Sequence, residues 1–152
     1  MSAANAIVLR VSVSTEKGVP KTNVEELRLI PDWGAQGDAH AGSWHRQVSL
    51  LAMESIEKMR AKGLEVRPGD FAENITTQGL DLLALPVGTR LRVGPEALLE
   101  VTQIGKHCHT GCAIFQQVGQ CIMPKEGIFA KVLVGGLVKP GDPIRIVRET
   151  QR

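Results

Sequence analysis

Two thiols, two imidazoles and an ammonium fall within one eight-residue segment, Gly105-Lys106-His107-Cys108-His109-Thr110-Gly111-Cys112. A neighbouring cation stabilises a thiolate, and the thiolate is the form that attacks electrophiles and binds metals. Gly105 and Gly111 would let the backbone come close to a ligand. The segment therefore stands as the candidate chemical centre, with four readings open. It could be a connection with two inert cysteines, a structural zinc site, a regulatory disulfide, or a thiolate that binds a soft metal or carries sulfur. The C-x3-C spacing, without a second pair downstream, is poor for structural zinc. The third cysteine, Cys121, lies outside the segment.

Two further groupings hold polar side chains suited to a ligand. Gly37-Asp38-Ala39-His40-Ala41-Gly42 leads into Trp44-His45-Arg46-Gln47. If a helix starts near Gln47, an anion placed there would meet free N–H groups and the positive helix end. Arg46 could clamp a phosphate through two hydrogen bonds. Alternatively Asp38 makes a turn and the histidines sit on the surface. The other grouping is Pro68-Gly69-Asp70-Phe71-Ala72-Glu73-Asn74-Ile75-Thr76-Thr77, where Glu73 and Asn74 interrupt an otherwise buried-looking strand. Such a polar pair must be satisfied either by the protein or by a ligand.

The elements that must position these groups are mostly short strands. Alternation marks Ala6–Val13, and Glu25–Ile30 follows as a second strand stopped by Pro31. Val48, Leu51, Ala52, Ile56 and Met59 recur at helical spacing, which predicts one principal helix from about Gln47 to Ala61, ended by Gly63. Met53 and Met59 are expected as core filler. Strands are expected at Phe71–Thr76, Thr89–Val93, Leu98–Ile104, Ile128–Val134 and Pro143–Val147, with Gly135-Gly136 and Pro140-Gly141-Asp142 as turns. Many short strands between Gly/Pro turns argue for a mainly β fold, a closed barrel or a sandwich. No repeat or linker divides residues 1–152, so one domain is expected.

Composition narrows the partners. Lys and Arg number 18 against 16 Asp and Glu, a formal charge of +2, and aromatics make up 3%. Neither phosphate-backbone attraction nor base stacking is provided for, so nucleic acid is not expected. No apolar run is long enough to span a membrane. The first residues lack the pattern of a signal peptide, and an odd number of cysteines reads as reduced thiols, so a cytoplasmic protein is expected. Exposed strand edges would allow homo-oligomer formation.

Taken together, the order Gly37-Asp38-x-His40, His45-Arg46-Gln47-Val48-Ser49-Leu50, Pro68-Gly69-Asp70-Phe71-x-Glu73-Asn74-Ile75, Gly88-Thr89 and Gly105-Lys106-x-Cys108 resembles the MOSC domain. The tail, Gly127–Leu133 with Gly135-Gly136 and Gly141-Asp142, is similar to small stand-alone bacterial members. The resemblance covers nearly the whole chain. It implies a closed β barrel with one principal helix and short helical turns, and a link to molybdenum cofactor (molybdopterin). At family level it also implies molybdenum ion and pyridoxal phosphate binding. Some members are molybdenum-dependent reductases of N-hydroxylated compounds with a cysteine on the metal, and others are assigned to sulfur transfer through a persulfide.

By that resemblance Cys112 or Cys108 is the working thiol, as metal ligand or sulfur carrier, and the apolar Ala113-Ile114-Phe115 tips the choice to Cys112. Arg46 and Lys106 would meet a cofactor phosphate, and Glu73 and Asn74 the pterin ring. His40, His45, Thr76, His107 and His109 complete the expected cofactor-binding set. The chain has no room for the extra N-terminal β domain of larger reductase members, which weakens the reductase reading. Two alternatives stand beside cofactor binding with chemistry. One is a non-catalytic carrier that delivers cofactor to another molybdenum-pathway enzyme, and the other is a sulfur-handling enzyme independent of molybdenum.

Overall fold

A computed structural model describes residues 6–17, 19–105 and 126–147. Among them the fold is mainly β with one α-helix. The strands are β1 (Ile7–Val13), β2 (Thr22–Val24), β3 (Leu27–Ile30), β4 (Gly34–Ala35), β5 (Val48–Ala52), β6 (Ile75–Gln78), β7 (Arg90–Val93), β8 (Ala97–Ile104), β9 (Ile128–Val134), β10 (Gly136–Val138) and β11 (Ile144–Val147). The helix α1 covers Met53–Ala61, and a short 3-10 turn covers Leu82–Ala84.

The eight-stranded sheet runs β11-β7-β8-β9-β5-β6-β1-β2, and a second sheet runs β10-β3-β4. Neighbours are antiparallel except β5 and β6, which run parallel with Leu50 opposite Ile75. The expected closed barrel is corrected to an open sheet. The β11 side meets β1 at an isolated bridge between Ile7 and Pro143, where Val8 N–H donates to Asp142 O at 2.8 Å and Gly141 N–H donates to Val8 O at 2.6 Å. Ile144 N–H donates to Ala6 O at 3.0 Å on the other side of the bridge, and no extended ladder forms between β1 and β11.

The expected helix from Gln47 is also corrected. Its first half is β5, whose five residues are all buried, and α1 begins only at Met53. A strand covered on both faces loses its alternation, so its apolar run fits a helical template equally well. Both faces are indeed covered. Val48 and Leu50 join the core between the two sheets, with Val11, Leu29, Leu91 and Leu99. Leu51 faces the other way, into a cluster with Met53, Ile56, Met59, Phe71 and Phe129 beneath α1. Met53 and Met59 are thus the core filler expected of them.

Three smaller boundaries differ. The strand expected over Phe71–Thr76 starts at Ile75, because Ala72 takes a φ of +67° and turns the chain first. The strand expected over Glu25–Ile30 shortens to β3, which starts at Leu27, and the unforeseen β2 precedes it. Gly135-Gly136 is not a free turn. A side chain on Gly135 would meet Leu29 O at 2.6 Å, and Gly136 opens β10 against β3.

Candidate functional site

The segment after β4 turns at Gly37, with φ at +81°, and brings Asp38 under the end of β1. Asp38 Oδ1 accepts from Ser14 N–H at 3.0 Å and from Lys21 Nζ at 2.9 Å. Asp38 Oδ2 accepts from the backbone N–H of His40 at 3.0 Å. Lys21 Nζ also lies 3.1 Å from Ser14 Oγ and 3.1 Å from His40 Nδ1. The side chains of Lys21 and Asp38 are both fully buried. Burial alone would raise the Asp38 carboxyl. The contact with His40, the Lys21 charge and the Ser14 N–H outweigh it and hold the group well below the usual carboxylate range. Asp38 is therefore an ionised hub that ties β1, the approach to β2 and the His40 turn together.

His40 connects this hub to an aromatic and cationic cluster. Its carbonyl accepts from Trp44 Nε1–H at 2.8 Å. The Arg46 guanidinium lies over two rings, 5.3 Å from the centroid of Trp44 and 5.7 Å from that of Phe129. Its Nε is buried and makes no hydrogen bond among the described residues. Lys17 Nζ lies 5.1 Å from the Trp44 centroid, adding positive charge. His45 is exposed and packs edge-on to Trp44, and its carbonyl accepts from Thr102 Oγ1. Because β5 follows Arg46, no helix end among the described residues contributes here, and the anion-attracting groups are side chains. A planar guanidinium braced by rings, with an unused N–H, suits a phosphate or another anionic oxygen. The residues present thus fit the phosphate end of molybdenum cofactor.

Glu73, Asn74 and Thr76 form a different structure. Asn74 Oδ1 accepts from Ser49 N–H at 3.0 Å, and Asn74 Nδ2 donates to Ser12 O at 3.1 Å. One buried amide thereby clamps β5 to β1. Glu73 Oε2 accepts from Gly69 N–H at 2.8 Å and from Thr76 Oγ1 at 2.7 Å. The turn it holds docks on Lys21, whose N–H donates to Gly69 O at 2.7 Å. This seam therefore supports the hub from behind, with its main polar atoms taken up by the protein.

Glu73 Oε1 is buried without a partner among the described residues. Burial raises the Glu73 carboxyl above the ordinary range, and Asp70 adds to this, against the lowering effect of the Gly69 and Thr76 bonds. An acid raised in the folded state contributes stability that is complete below its unfolded value and is lost as pH climbs toward the folded value. Glu73→Gln keeps an acceptor for Gly69 and Thr76 but cannot ionise. The variant is expected to match the parent in acid and to exceed it increasingly above the ordinary carboxylate range. Melting temperatures across a pH series check this; parallel curves would contradict it.

The segment with the thiols lies outside the described residues, and with it Lys106, His107, Cys108, His109, Cys112 and Cys121. Its two flanks are described. Gly105 N–H donates to Gly127 O at 2.7 Å, which closes the β8–β9 ladder beyond Ile104 and Ile128. Among the described residues no group of three His, Cys, Asp or Glu side chains is placed to hold a metal. No described helix is long and apolar enough to cross a membrane.

Sequence reasoning missed Lys21, and it grouped Gln47 with Arg46 without giving it a role. Lys21 follows Pro20 in a polar loop, and nothing in its neighbours separates it from a solvated lysine. Gln47 is buried, accepts from Val132 N–H at 2.9 Å and donates to Asp32 at 3.1 Å, bracing the strand that begins beside Arg46. Its place next to a buried apolar run was the available signal.

Comparison with solved structures supports the fold. The YuaD protein of Bacillus subtilis superimposes with a TM-score of 0.76 at 21% identity, over 91% of this chain and 93% of that one. YiiM from Geobacillus stearothermophilus gives 0.70 at 22% identity, covering 94% and 75%. YiiM from Escherichia coli gives 0.65 at 24% identity, covering 94% and 71%. No curated protein matches the chain. The family model of the MOSC domain matches residues 37–145, which includes Asp38, His40, Arg46 and the Glu73–Asn74 seam. With well over half of its length matched, the chain belongs to the MOSC domain family.

Proposed function

We propose that this MOSC domain binds molybdenum cofactor or its pterin precursor, with the phosphate end on Arg46 and with Cys112 or Cys108 as metal ligand or sulfur carrier. The observation that carries the reading is the Arg46 guanidinium, braced by Trp44 and Phe129 with a buried and unpartnered Nε. When bound, the cofactor supplies a metal that exchanges oxygen or sulfur atoms with two-electron redox change. The chain supplies the anchoring. Arg46 offers a planar pair of donors to phosphate, Trp44 and Phe129 keep water from one side of it, and the Asp38 hub fixes the turn that carries His40. A thiolate ligand suits molybdenum as a soft metal centre and equally suits persulfide chemistry. A working thiol of this kind would suit the reducing cytoplasm. Pyridoxal phosphate gains no support of its own. Lys21 is the one buried lysine among the described residues, and its ammonium is engaged by Asp38.

The test is co-purification from cells grown with molybdate, assaying molybdenum and oxidised pterin per chain. The expected result is that both are retained. Arg46→Met should weaken retention roughly 10–150-fold, the value of about 1.5–3 kcal/mol for a hydrogen bond to a charged group. One of the single changes Cys108→Ser and Cys112→Ser should lose molybdenum while keeping pterin. Absence of both metal and pterin, with no binding when cofactor is added, would overturn the reading.

A further inference from the structure

We infer that Lys21 fixes His40 as the tautomer protonated on Nε2, so that His40 meets its ligand as a hydrogen-bond donor to an anionic oxygen. Among the described residues two groups approach His40 Nδ1. Lys21 Nζ stands at 3.1 Å and Asp38 Oδ2 at 3.8 Å. Only the first is a hydrogen-bond distance. An ammonium has donors and no acceptor, so a hydrogen on Nδ1 would point at another donor. Asp38 Oδ2 is meanwhile occupied by the backbone N–H of His40 itself. Ser14 Oγ, the ammonium's neighbouring partner, spends its own hydrogen on Glu16 O at 2.8 Å and so accepts from Lys21. The ring must therefore accept at Nδ1 and carry its hydrogen on Nε2.

The His40 side chain is 15% exposed, and Nε2 makes no hydrogen bond within the described residues. The ring is held on its backbone side by Trp44 donating to His40 O, which links it to the ring over which Arg46 lies. A donor set of this kind selects ligands that present lone pairs on oxygen, such as phosphate. Lys21 acts through His40 and is a positioning residue. Its buried pairing with Asp38 explains why a lysine, with three donors and no acceptor, occupies this place.

Long-range proton–nitrogen correlation on the uniformly 15N-labelled full chain, at mildly alkaline pH, reads the tautomer directly. Loss of one signal set in His40→Gln assigns His40. Nδ1 is expected at the unprotonated position and Nε2 at the protonated one. Lys21→Met combined with Asp38→Asn removes both charges together and keeps the fold testable. It should reduce the Nε2–H preference about ten-fold, the worth of one charge-assisted hydrogen bond. A wild-type ring protonated on Nδ1, or a preference unchanged in the double variant, would overturn the inference.

Inorganic phosphate is the ligand probe, a choice that rests on the cofactor reading above, whereas the tautomer does not. Phosphate should shift the His40 Nε2–H signal, with roughly ten-fold weaker binding in His40→Phe. Phosphate that leaves His40 unmoved would overturn the donor role. Because the tautomer is read on the protein without cofactor, failure of cofactor to co-purify would sink only the earlier proposal.

Discussion

Lys21→Met is expected to lower folding stability by about 3–5 kcal/mol, the loss typical when one partner of a buried ion pair is removed. The Asp38 carboxylate would remain fully buried, with Ser14 N–H and His40 N–H but no countercharge. Against a total of about 5–15 kcal/mol for a domain, that is a large share. Asp38→Asn in the same chain should restore most of it, because a neutral amide oxygen can still accept from Ser14 without demanding a cation. Urea denaturation of the single and double variants checks the pattern. A single variant as stable as the parent would show that the pair is not the structural hub described.

The second large effect is expected at the turn behind the hub. Gly69 has a φ of +94°, and a Cβ there would lie 2.5 Å from Lys21 O. The two backbones cannot separate cheaply, since Lys21 N–H donates to Gly69 O at 2.7 Å and Gly69 N–H is held by Glu73. Gly69→Ala is therefore expected to cost roughly 2–4 kcal/mol, from left-handed backbone strain plus overpacking. That corresponds to a fall of about 5–15 °C in melting temperature for a domain of this size. The companion change Asp70→Ala loses only the exposed contact to Arg67 N–H and should cost far less. Equal losses at the two positions would contradict the packing account.

These effects show where the sequence was readable. β1 and β7–β9 alternate or are bounded by turn residues, so their positions follow from pattern. β5 does not alternate, because Leu50 and Leu51 enter different cores, and helical spacing resulted by coincidence. β4 is two residues long, and β10 begins at a glycine, which reads as a turn until its ladder partner Leu29 is known. At the site, Asp38 and His40 were legible because the side chain of one caps the N–H of the other two residues on. Glu73 and Asn74 were correctly seen as a buried polar pair needing partners, though partners such as Ser12 and Ser49 lie far along the chain. Lys21 was invisible for the same reason: its meaning comes from Asp38 and His40, and spatial adjacency leaves no local trace.

The sheet order also bears on how the chain reaches its fold during synthesis. β5 is hydrogen-bonded to β9, with Leu50 opposite Ile128. A ribosome adding about 5–20 residues per second needs on the order of 10 s to pass from one to the other. Throughout that interval the all-buried run Val48–Ala52 has one edge unpaired and part of its apolar cover missing. β1 waits similarly for β6, with Val11 opposite Ile75. Distant pairings of this kind slow folding and prolong exposure of sticky strands. Yield of this domain should therefore depend on translation speed and on chaperones that shield nascent strands.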